Sequence, residues 1–278
     1  MKITALVENT SCKEGIGAEH GLSLFIEAAE KTILFDTGYS PLFAKNAETL
    51  QVDLAEVDLA VLSHGHYDHS GGINTFFTKN STAPIYLRKS AFGPFYSQRE
   101  NGEYGFIGID EGLITSNRVI FTGKQTPLGD GISLFSNVRG ERFFPTGNKS
   151  LLKKTEDGYI QDDFSHEQNL VIEEQGIRLL VSGCSHRGIV NIVDHYKALF
   201  GHYPSHVIGG FHLYNHRTGK PESEETLHSI AQALLQSGAT YYTCHCTGEE
   251  NFQMLRSFMG EKVEYLSGGR TLDLEAAQ

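Results

Sequence analysis

The sequence predicts an α/β fold, in which strands and helices alternate along much of the chain. Short apolar runs rich in β-branched and aromatic residues indicate strands. Other segments carry apolar residues at helical spacing. Several strand-like runs end in a turn of small residues that contains histidine, and then continue into a helix. This recurring unit brings polar side chains to the strand ends, where sites lie in open α/β folds.

The first part of the chain contains three strand-like runs, at residues 3–7, 22–26 and 32–35. Because the connection between the second and third runs is short, we expect them to form an antiparallel hairpin. Residues 41–50 place apolar side chains on one side and predict a helix. The continuous apolar run 57–62 predicts a buried strand, and a further helix begins at Ile73.

The middle of the chain has a weaker pattern. Residues 92–112 and 139–163 are mostly polar with scattered aromatic residues, so we expect surface loops or lids there. Together they predict a loop-rich insert at about residues 90–165. No linker divides the chain, and we therefore expect a single domain over residues 1–278.

Regular patterning returns in the last part of the chain. Strands are predicted at 169–172, 178–181, 205–208 and 239–243, and helices at 189–200 and 221–236. Pro221 lies near the start of the second helix and Gly238 follows its end. Thr247 and Glu250 have the spacing of a capping box, which predicts another helix beginning there.

The composition excludes several function classes. The chain has 23 basic and 34 acidic residues, a formal charge of −11, so we expect neither a nucleic-acid partner nor attraction to anionic membranes. No run approaches the ~18 apolar residues of a membrane span. The N-terminal residues do not resemble a signal peptide, and four cysteines do not make a disulfide framework. We expect a cytoplasmic, reduced protein.

The strongest signal is the run His64-x-His66-x-Asp68-His69, which follows a predicted buried strand. Imidazoles and a carboxylate suit a borderline divalent ion such as zinc, and also iron or manganese. The two histidines spaced by one residue can bind one ion, and Asp68 with His69 can turn toward a second. Four potential ligands within six residues predict a metal site of one or two ions.

Three more predicted strands end in a turn that presents histidine: His186, His212 and His245. If these strands lie beside the strand before His64, all of the imidazoles gather at one edge of a sheet.

These motifs resemble the metallo-β-lactamase superfamily, whose signature is His-x-His-x-Asp-His. The turn 36–38 and the runs 183–191, 209–212 and 245–248 further resemble the branch that contains an archaeal dihydropterin synthase of methanopterin biosynthesis. The resemblance covers nearly the whole chain. It implies a four-layer αββα sandwich with a two-metal site between the ends of the sheets.

The resemblance also implies ligand sets. His64, His66 and His186 would hold the first metal, with His166 as a rival to His186. Asp68, His69 and His245 would hold the second. Many relatives have a bridging aspartate where this chain has Cys184, which either ligates as a thiolate or packs as a small apolar residue. Without a bridging carboxylate, a site with a single ion stays open.

Other residues have plainer interpretations. Asp36 is predicted to orient a metal-binding histidine. His212 either contacts the substrate or a reaction oxyanion from the rim, or packs as an ordinary histidine. Cys244 and Cys246 flank His245 and are predicted to point away from the site. Cys12 is assigned no role, and six histidines are assigned to the surface or to helix faces: His20, His195, His202, His206, His216 and His228.

The predicted function is a metal-dependent hydrolase or transferase with a small-molecule substrate, phosphorylated or pterin-like. A bound metal lowers the pKa of water toward ~7 and polarises an electrophilic oxygen, while Asp68 receives a proton and His212 assists. Two sets of residues are candidates for substrate contact, the aromatic ones for stacking on a planar ring and the basic ones for meeting a phosphate. Residues of these types are more often packed aromatics or solvated surface charges, and that interpretation stays open for each of them: Tyr96, Tyr104, Phe106, Arg88, Lys89, Arg99 and Arg187.

Two alternatives stay open. One is a non-catalytic metal-binding sensor, although such proteins often lose ligands and this chain has the full motif. The other is a di-iron redox protein, whose relatives carry a flavin domain for which this length leaves no room. Oligomeric state is not predicted, and a homo-oligomer is compatible with the sequence.

Overall fold

The computed structural model describes residues 1–215 and 219–275. The strands are β1 (Lys2–Val7), β2 (Ser23–Ala28), β3 (Lys31–Phe35), β4 (Leu59–Val61), β5 (Ile85–Leu87), β6 (Phe95–Gln98), β7 (Tyr104–Phe106), β8 (Val119–Phe121), β9 (Gln125–Gly129), β10 (Ile132–Ser136), β11 (Leu151–Thr155), β12 (Gly158–Gln161), β13 (Gln168–Glu174), β14 (Ile177–Val181), β15 (His206–Gly210), β16 (Tyr214–Asn215), β17 (Lys220–Pro221), β18 (Thr240–Cys244), β19 (Val263–Tyr265) and β20 (Thr271–Asp273). The helices are α1 (Leu42–Thr49), α2 (Tyr67–Ser70), α3 (Ile73–Lys79), α4 (Ile189–Phe200), α5 (Glu224–Leu235) and α6 (Glu249–Met259).

Two seven-stranded mixed sheets form the centre of the molecule. The first has the order β20-β1-β2-β3-β4-β5-β8, and the predicted hairpin of β2 and β3 is antiparallel. The second has the order β19-β18-β15-β14-β13-β10-β9. In it β14, β15 and β18 are parallel neighbours, so the turns that follow them meet at one edge.

The apolar core has three parts, which explains the layering. Side chains from both seven-stranded sheets form one buried cluster between them, including Ile3, Phe35, Leu134 and Val181. A second cluster joins the other face of the second sheet to α4, α5 and α6. A third joins the outer face of the first sheet to α1 and α3. The predicted αββα sandwich is confirmed.

Residues 90–165 are more ordered than the expected loop-rich insert. Strands β12-β11-β6-β7 form a separate four-stranded antiparallel sheet within this segment. Strand β8 belongs to the first large sheet, and β9 and β10 belong to the second. The expectation of loops at 92–112 and 139–163 was therefore wrong over these strands. The four strands of the small sheet are only three to five residues long. Strands β7 and β12 are also largely exposed, so no apolar run marks them in the sequence.

Three local predictions need correction. Helix α5 begins at Glu224 with Ser223 as its cap, and Pro221 lies in β17 instead. Thr247 does not cap α6, because its hydroxyl accepts a hydrogen bond from the backbone N–H of Phe211. The strand before His64 is β4, which belongs to the first sheet and not to the sheet of β14, β15 and β18.

None of the helices in the described part of the chain combines the length and apolarity needed to cross a bilayer. His216 lies outside the described residues.

Candidate metal centre

The histidine-bearing turns of both large sheets meet around one cavity of about 140 Å³. The sheets approach closely here, since the backbone N–H of Gln168 donates to Ser63 O at 2.8 Å. Gly183 permits this approach: a Cβ at that position would lie 2.7 Å from Cβ of Ser63. The cavity is lined by His20, His66, Tyr67, Asp68, Ser97, Ile107, Gly147, Ser150, Leu151, Cys184, His186, His212, His245 and Cys246.

A first cluster contains His64 and His186, whose Nε2 atoms are 3.3 Å apart. Their potential ligand atoms and the Cys184 Sγ lie within 4.8 Å of one another. The ring of His66 is next to them, with its centroid 4.9 Å from that of His186. Its Nε2 is buried and has no hydrogen-bond partner, which is a costly state for a polar atom.

A second cluster contains Asp68, His69 and His245. The Nε2 atoms of the two histidines are 3.2 Å apart, and Asp68 Oδ2 lies 3.3 Å from His245 Nε2 and 3.8 Å from His69 Nε2. Cys184 Sγ is 3.2 Å from His69 Nε2. Cys184 therefore stands between the two clusters, within reach of both.

Outer polar side chains fix which ring nitrogen of these histidines carries the proton. His64 Nδ1 lies 2.8 Å from Ser63 Oγ, whose own proton goes to Asp36 Oδ2 at 2.7 Å. His64 Nδ1 is therefore the donor, and its Nε2 turns a lone pair into the cluster. His69 Nδ1 likewise donates to Asp36 Oδ2 at 2.6 Å. The prediction that Asp36 orients a histidine agrees with this geometry.

His186 and His245 are held in the same way. His186 Nδ1 is 3.0 Å from Asn148 Oδ1, while the amide nitrogen of Asn148 donates to His186 O. His245 Nδ1 donates to Asn9 Oδ1 at 2.8 Å. The Gly21 N–H also donates to this oxygen, which sets the orientation of the Asn9 amide. Such outer contacts fix the tautomer of metal-binding histidines.

Burial holds these imidazoles in the neutral form that binds metals. It lowers the pKa of His66 and that of His245 to about 3, with neighbouring histidines adding to the shift. Burial also lowers the pKa values of His64 and His186 well below their ordinary range. Neutral imidazole is the ligand form, so ion binding here requires no proton release from them.

The remaining groups titrate differently. Burial lowers the pKa of His69, but Asp36 and Asp68 outweigh it and the pKa is raised overall. Burial acts to raise the pKa of Asp68, yet His69, His20 and His245 hold it well below its usual range. The Asp68 carboxylate is therefore ionised. Burial and the Cys246 thiol raise the pKa of Cys184, which keeps its thiol protonated in this structure.

His166 is near the first cluster but makes other contacts. Its Nδ1 accepts a hydrogen bond from the Gly65 N–H at 2.9 Å, and its Nε2 lies 3.0 Å from Asp162 Oδ2. Both nitrogens are thus engaged, and the bond to Gly65 anchors the loop between His64 and His66. Its ligand atom also lies within 4.8 Å of those of His66 and Asp162.

His20 is a site residue that sequence reasoning assigned to the surface. Its Nε2 lies 3.2 Å from Asp68 Oδ2, and its ring centroid is 4.8 Å from that of His245. The amide nitrogen of Asn9 lies 3.4 Å from its Nδ1. No local motif marks His20, because the long segment between β1 and β2 brings it to the cavity.

Cys246 also differs from its prediction. It lines the cavity instead of pointing away from it. Strand β18 ends at Cys244, and His245 has a positive φ of 51° at the start of a 3-10 turn, so strand alternation no longer applies. His212 lines the cavity too, with its ring centroid 4.3 Å from that of His186.

Most predicted substrate contacts lie elsewhere. Arg88 donates to Thr122 O, and Arg187 donates to Val138 O, so both brace the backbone. Pairing in the four-stranded sheet places Tyr96 opposite Phe106, on the face away from Ser97, which lines the cavity. Tyr104 shares that face and stacks on Tyr159 at 4.0 Å. The predicted role of these aromatic residues in stacking on a ring inside the cavity was wrong.

The described side chains that line the cavity do not include lysine or arginine. Lys89 and Arg99, the other two predicted phosphate contacts, lie outside it as well.

The surface or helix-face assignments of four further histidines agree with the structure. His195 and His228 lie on helices α4 and α5, and His202 and His206 are partly exposed. Cys12 is exposed and free.

Comparison with known proteins supplies the family. The family model of the metallo-β-lactamase superfamily matches residues 16–145. A crystal structure described as a metal-dependent hydrolase of the β-lactamase superfamily is 31% identical in sequence, covers 99% of both chains and superposes with a TM-score of 0.82. The chain belongs to the metallo-β-lactamase superfamily.

Two further proteins are similar along most of the chain. The 7,8-dihydropterin-6-methyl-4-(β-D-ribofuranosyl)-aminobenzene-5'-phosphate synthase of Methanocaldococcus jannaschii is 29% identical over 273 residues, covering 92% of this chain and 90% of that protein. Zinc-bound PqqB from Methylobacterium extorquens is 14% identical with a TM-score of 0.61, covering 99% and 100% of the chains, and shares the fold.

Proposed function

We propose that this superfamily member is a metal-dependent hydrolase or transferase with a small-molecule substrate. The observation that carries the proposal is the short distance between His64 Nε2 and His186 Nε2, which are 3.3 Å apart. Each of these nitrogens directs a lone pair toward the other. Neither nitrogen has a proton to share, because both Nδ1 atoms donate to outer partners. Two ligands of one tetrahedral zinc ion, at bonds of about 2.0–2.1 Å, lie roughly 3.3 Å apart.

The residues fit the metal that the superfamily implies. His64, His66 and His186 would hold a first ion, which would also give His66 Nε2 the partner it lacks. Asp68, His69 and His245 would hold a second. Cys184 stands within reach of both and would complete either set as a thiolate. Nitrogen, sulfur and carboxylate ligands favour zinc, with manganese or iron as alternatives.

A bound divalent ion would lower the pKa of water toward ~7 and polarise an electrophilic oxygen of the substrate. The protein supplies the surroundings. Asp68 presents an ionised carboxylate at the cavity wall and can accept a proton at Oδ2, which His20 and His245 also approach. Ile107 and Leu151 add apolar side chains to the lining of the cavity. His212 would meet the substrate beside His186.

Both reaction types use the same arrangement. Hydrolysis needs water as the nucleophile, whereas transfer needs a second substrate in its place and protection from water. The relative from Methanocaldococcus jannaschii is a synthase, and the structural relative is described as a hydrolase. We include a phosphorylated or pterin-like substrate in the proposal because of the similarity to this synthase.

A metal-binding sensor without catalysis is the weaker alternative. Asp68 argues for catalysis, since it lies on the wall of a cavity that also has neutral polar side chains, Ser97 and Ser150, for holding a substrate.

Metal analysis combined with Asp68→Ala tests the proposal. Protein purified without chelator should contain one to two equivalents of zinc, manganese or iron. An activity screen over phosphodiesters, lactones and pterin diphosphates, run with each metal, should give turnover that Asp68→Ala reduces at least 10³-fold. Asp157→Ala in the exposed turn between β11 and β12 is the matched control and should retain activity. Full activity in protein stripped of metal would refute the mechanism, and lack of turnover with every substrate would favour the sensor.

A further inference from the structure

Two free thiols, those of Cys184 and Cys246, approach each other in the cavity wall. Both side chains are buried, and Cys246 Sγ lies 3.5 Å from Cys184 O. Their Sγ atoms and a ring nitrogen of His212 all lie within 4.8 Å of one another. All three residues line the cavity, so an ion that enters it reaches this cluster.

The backbone is shaped to place Cys246 there. A Cβ at Gly210 would lie 2.5 Å from Cys246 Sγ, so only glycine leaves room for the thiol in this position. The turn that follows β18 has a positive φ of 51° at His245, and it brings Cys246 to the cavity. Cys244, on the other side of His245, is packed in the core between the sheets.

The chemistry of this cluster differs from that of the imidazole clusters. Two thiolates are soft ligands and the imidazole is a borderline one, and together they select thiophilic ions over magnesium or calcium. Ligand atoms on one tetrahedral ion at bonds of about 2.0–2.3 Å lie roughly 3.3–3.8 Å apart, so small side-chain rotations suffice here. Two metal–sulfur bonds would form as the two thiol protons pass to the solvent.

We propose that Cys184, Cys246 and His212 form a further site, which shares Cys184 with the imidazole clusters, for one thiophilic metal ion of the Cu(I) or Cd²⁺ class. Cys184 belongs to this site and also stands between the two imidazole clusters. An ion held by both thiols would therefore draw Cys184 away from those clusters and inhibit the enzyme. This inference goes beyond the proposed function, and its binding test does not depend on finding the substrate.

Cadmium titration tests the proposal because thiolate–cadmium bonds absorb in the ultraviolet in proportion to their number. The titration uses the whole chain with Cys12→Ser, which removes the exposed thiol. We expect a saturable signal that corresponds to two cadmium-bound thiolates per protein molecule. Cys246→Ser should halve that signal and weaken cadmium binding at least tenfold. Cys244→Ser, which changes a buried thiol outside the cluster, should leave both quantities unchanged.

The two sites can be told apart by these variants. Cadmium bound only by the imidazole clusters and Cys184 would give one thiolate per protein molecule in both the parent protein and Cys246→Ser, and that result would overturn the proposal. Because Cys246→Ser places a hydroxyl in a buried position, Cys246→Ala serves as a second variant with the same expected loss. Circular dichroism of each variant establishes that the comparison is made between folded proteins.

Discussion

Asp36 serves more of the site than any other outer residue. One buried carboxylate accepts hydrogen bonds from the backbone N–H and hydroxyl of Ser63 and from His69 Nδ1. Through Ser63 it also sets the proton on His64. Asp36 thus contacts a histidine of the second cluster directly and a histidine of the first cluster through Ser63.

Asp36→Asn should disturb the site because an amide nitrogen would replace one acceptor oxygen. That nitrogen would face the proton on His69 Nδ1, so the ring would have to change tautomer or leave its place. We expect a loss of about 1–3 kcal/mol in unfolding free energy and 10–100-fold in metal affinity. Urea denaturation and zinc competition measure the two effects. Unchanged zinc affinity would show that Asp36 does not position the ligands.

Asn9 gives a second prediction at this scale. Asn9→Leu removes the acceptor for His245 Nδ1, and we expect a 10–100-fold loss of affinity for the second ion. Asn9→Asp keeps the acceptor and should retain most of the affinity. Stepwise zinc titration of both variants measures this difference. Equal affinity in both would mean that the tautomer of His245 has another determinant.

The residues predicted from the sequence share one property, which is that a local motif contains them. His64, His66, Asp68 and His69 stand in one run, and His186 and His245 follow strands. Asn9, His20 and Asn148 carry no local signal, because only the tertiary fold brings them to the site. His20, for example, contacts Asp68 across 48 positions of sequence.

At the scale of elements, the four-stranded sheet shows where patterning fails. Its inner face includes Phe95 and Ser97, while its outer face presents Tyr104 and Tyr159 to solvent. Aromatic residues on both faces remove the alternation of apolar and polar residues that identifies a half-buried strand. The long helices α4 and α5 keep one apolar face and were predicted almost to their ends.

The short helix α2, which carries Asp68 and His69, depends on a tight backbone contact. A Cβ at Gly71 would overlap the carbonyl oxygen of Tyr39. Gly71→Ala should therefore cost roughly 1–3 kcal/mol in unfolding free energy and weaken metal binding, since α2 must shift. Gly123→Ala is the matched control, because its Cβ would make ordinary contacts only. Equal stability of the two variants in urea would contradict this reading of the contact.

For the whole molecule, the buried imidazoles predict acid sensitivity of the metal-free protein. His66 and His245 have pKa values of about 3 when folded and about 6.5 when unfolded. Below pH 6.5 the unfolded chain therefore binds more protons, and stability falls as the pH drops from about 6.5 toward 3. Each such group contributes about 1.4 kcal/mol per pH unit in this range. Asp68 has a lowered pKa and adds to the loss at lower pH.

His69 acts in the opposite direction. Its raised pKa stabilises the protein below about pH 6.5, and this contribution is lost as the pH rises through the folded value. Urea denaturation of chelator-treated protein at pH 7 and pH 5 measures the net effect of all these groups on the free energy of unfolding. We expect a clearly lower unfolding free energy at pH 5, and a smaller difference for His66→Gln. A protein equally stable at both values would show that the imidazoles are not buried in neutral form.

The α/β class could be predicted from the sequence, but the relation of the two sheets could not. Strand and helix order predicted an α/β fold, and the resemblance to the superfamily implied the sandwich. From the sequence, all four histidine-bearing strands could lie side by side, whereas β4 lies in the first sheet and β14, β15 and β18 in the second. Local patterns do not reveal which sheet a buried strand joins, because both positions require the same apolar run.

The division of the centre between the two sheets has a practical consequence. His64 and His186 are 122 positions apart and belong to opposite halves of the sandwich. Cleavage of the polypeptide in the exposed turn between β11 and β12 would leave each of the two chain fragments with an incomplete set of ligands. An ion with ligands from both fragments would then hold the two fragments together. We therefore expect the ion to strengthen the association of the two fragments.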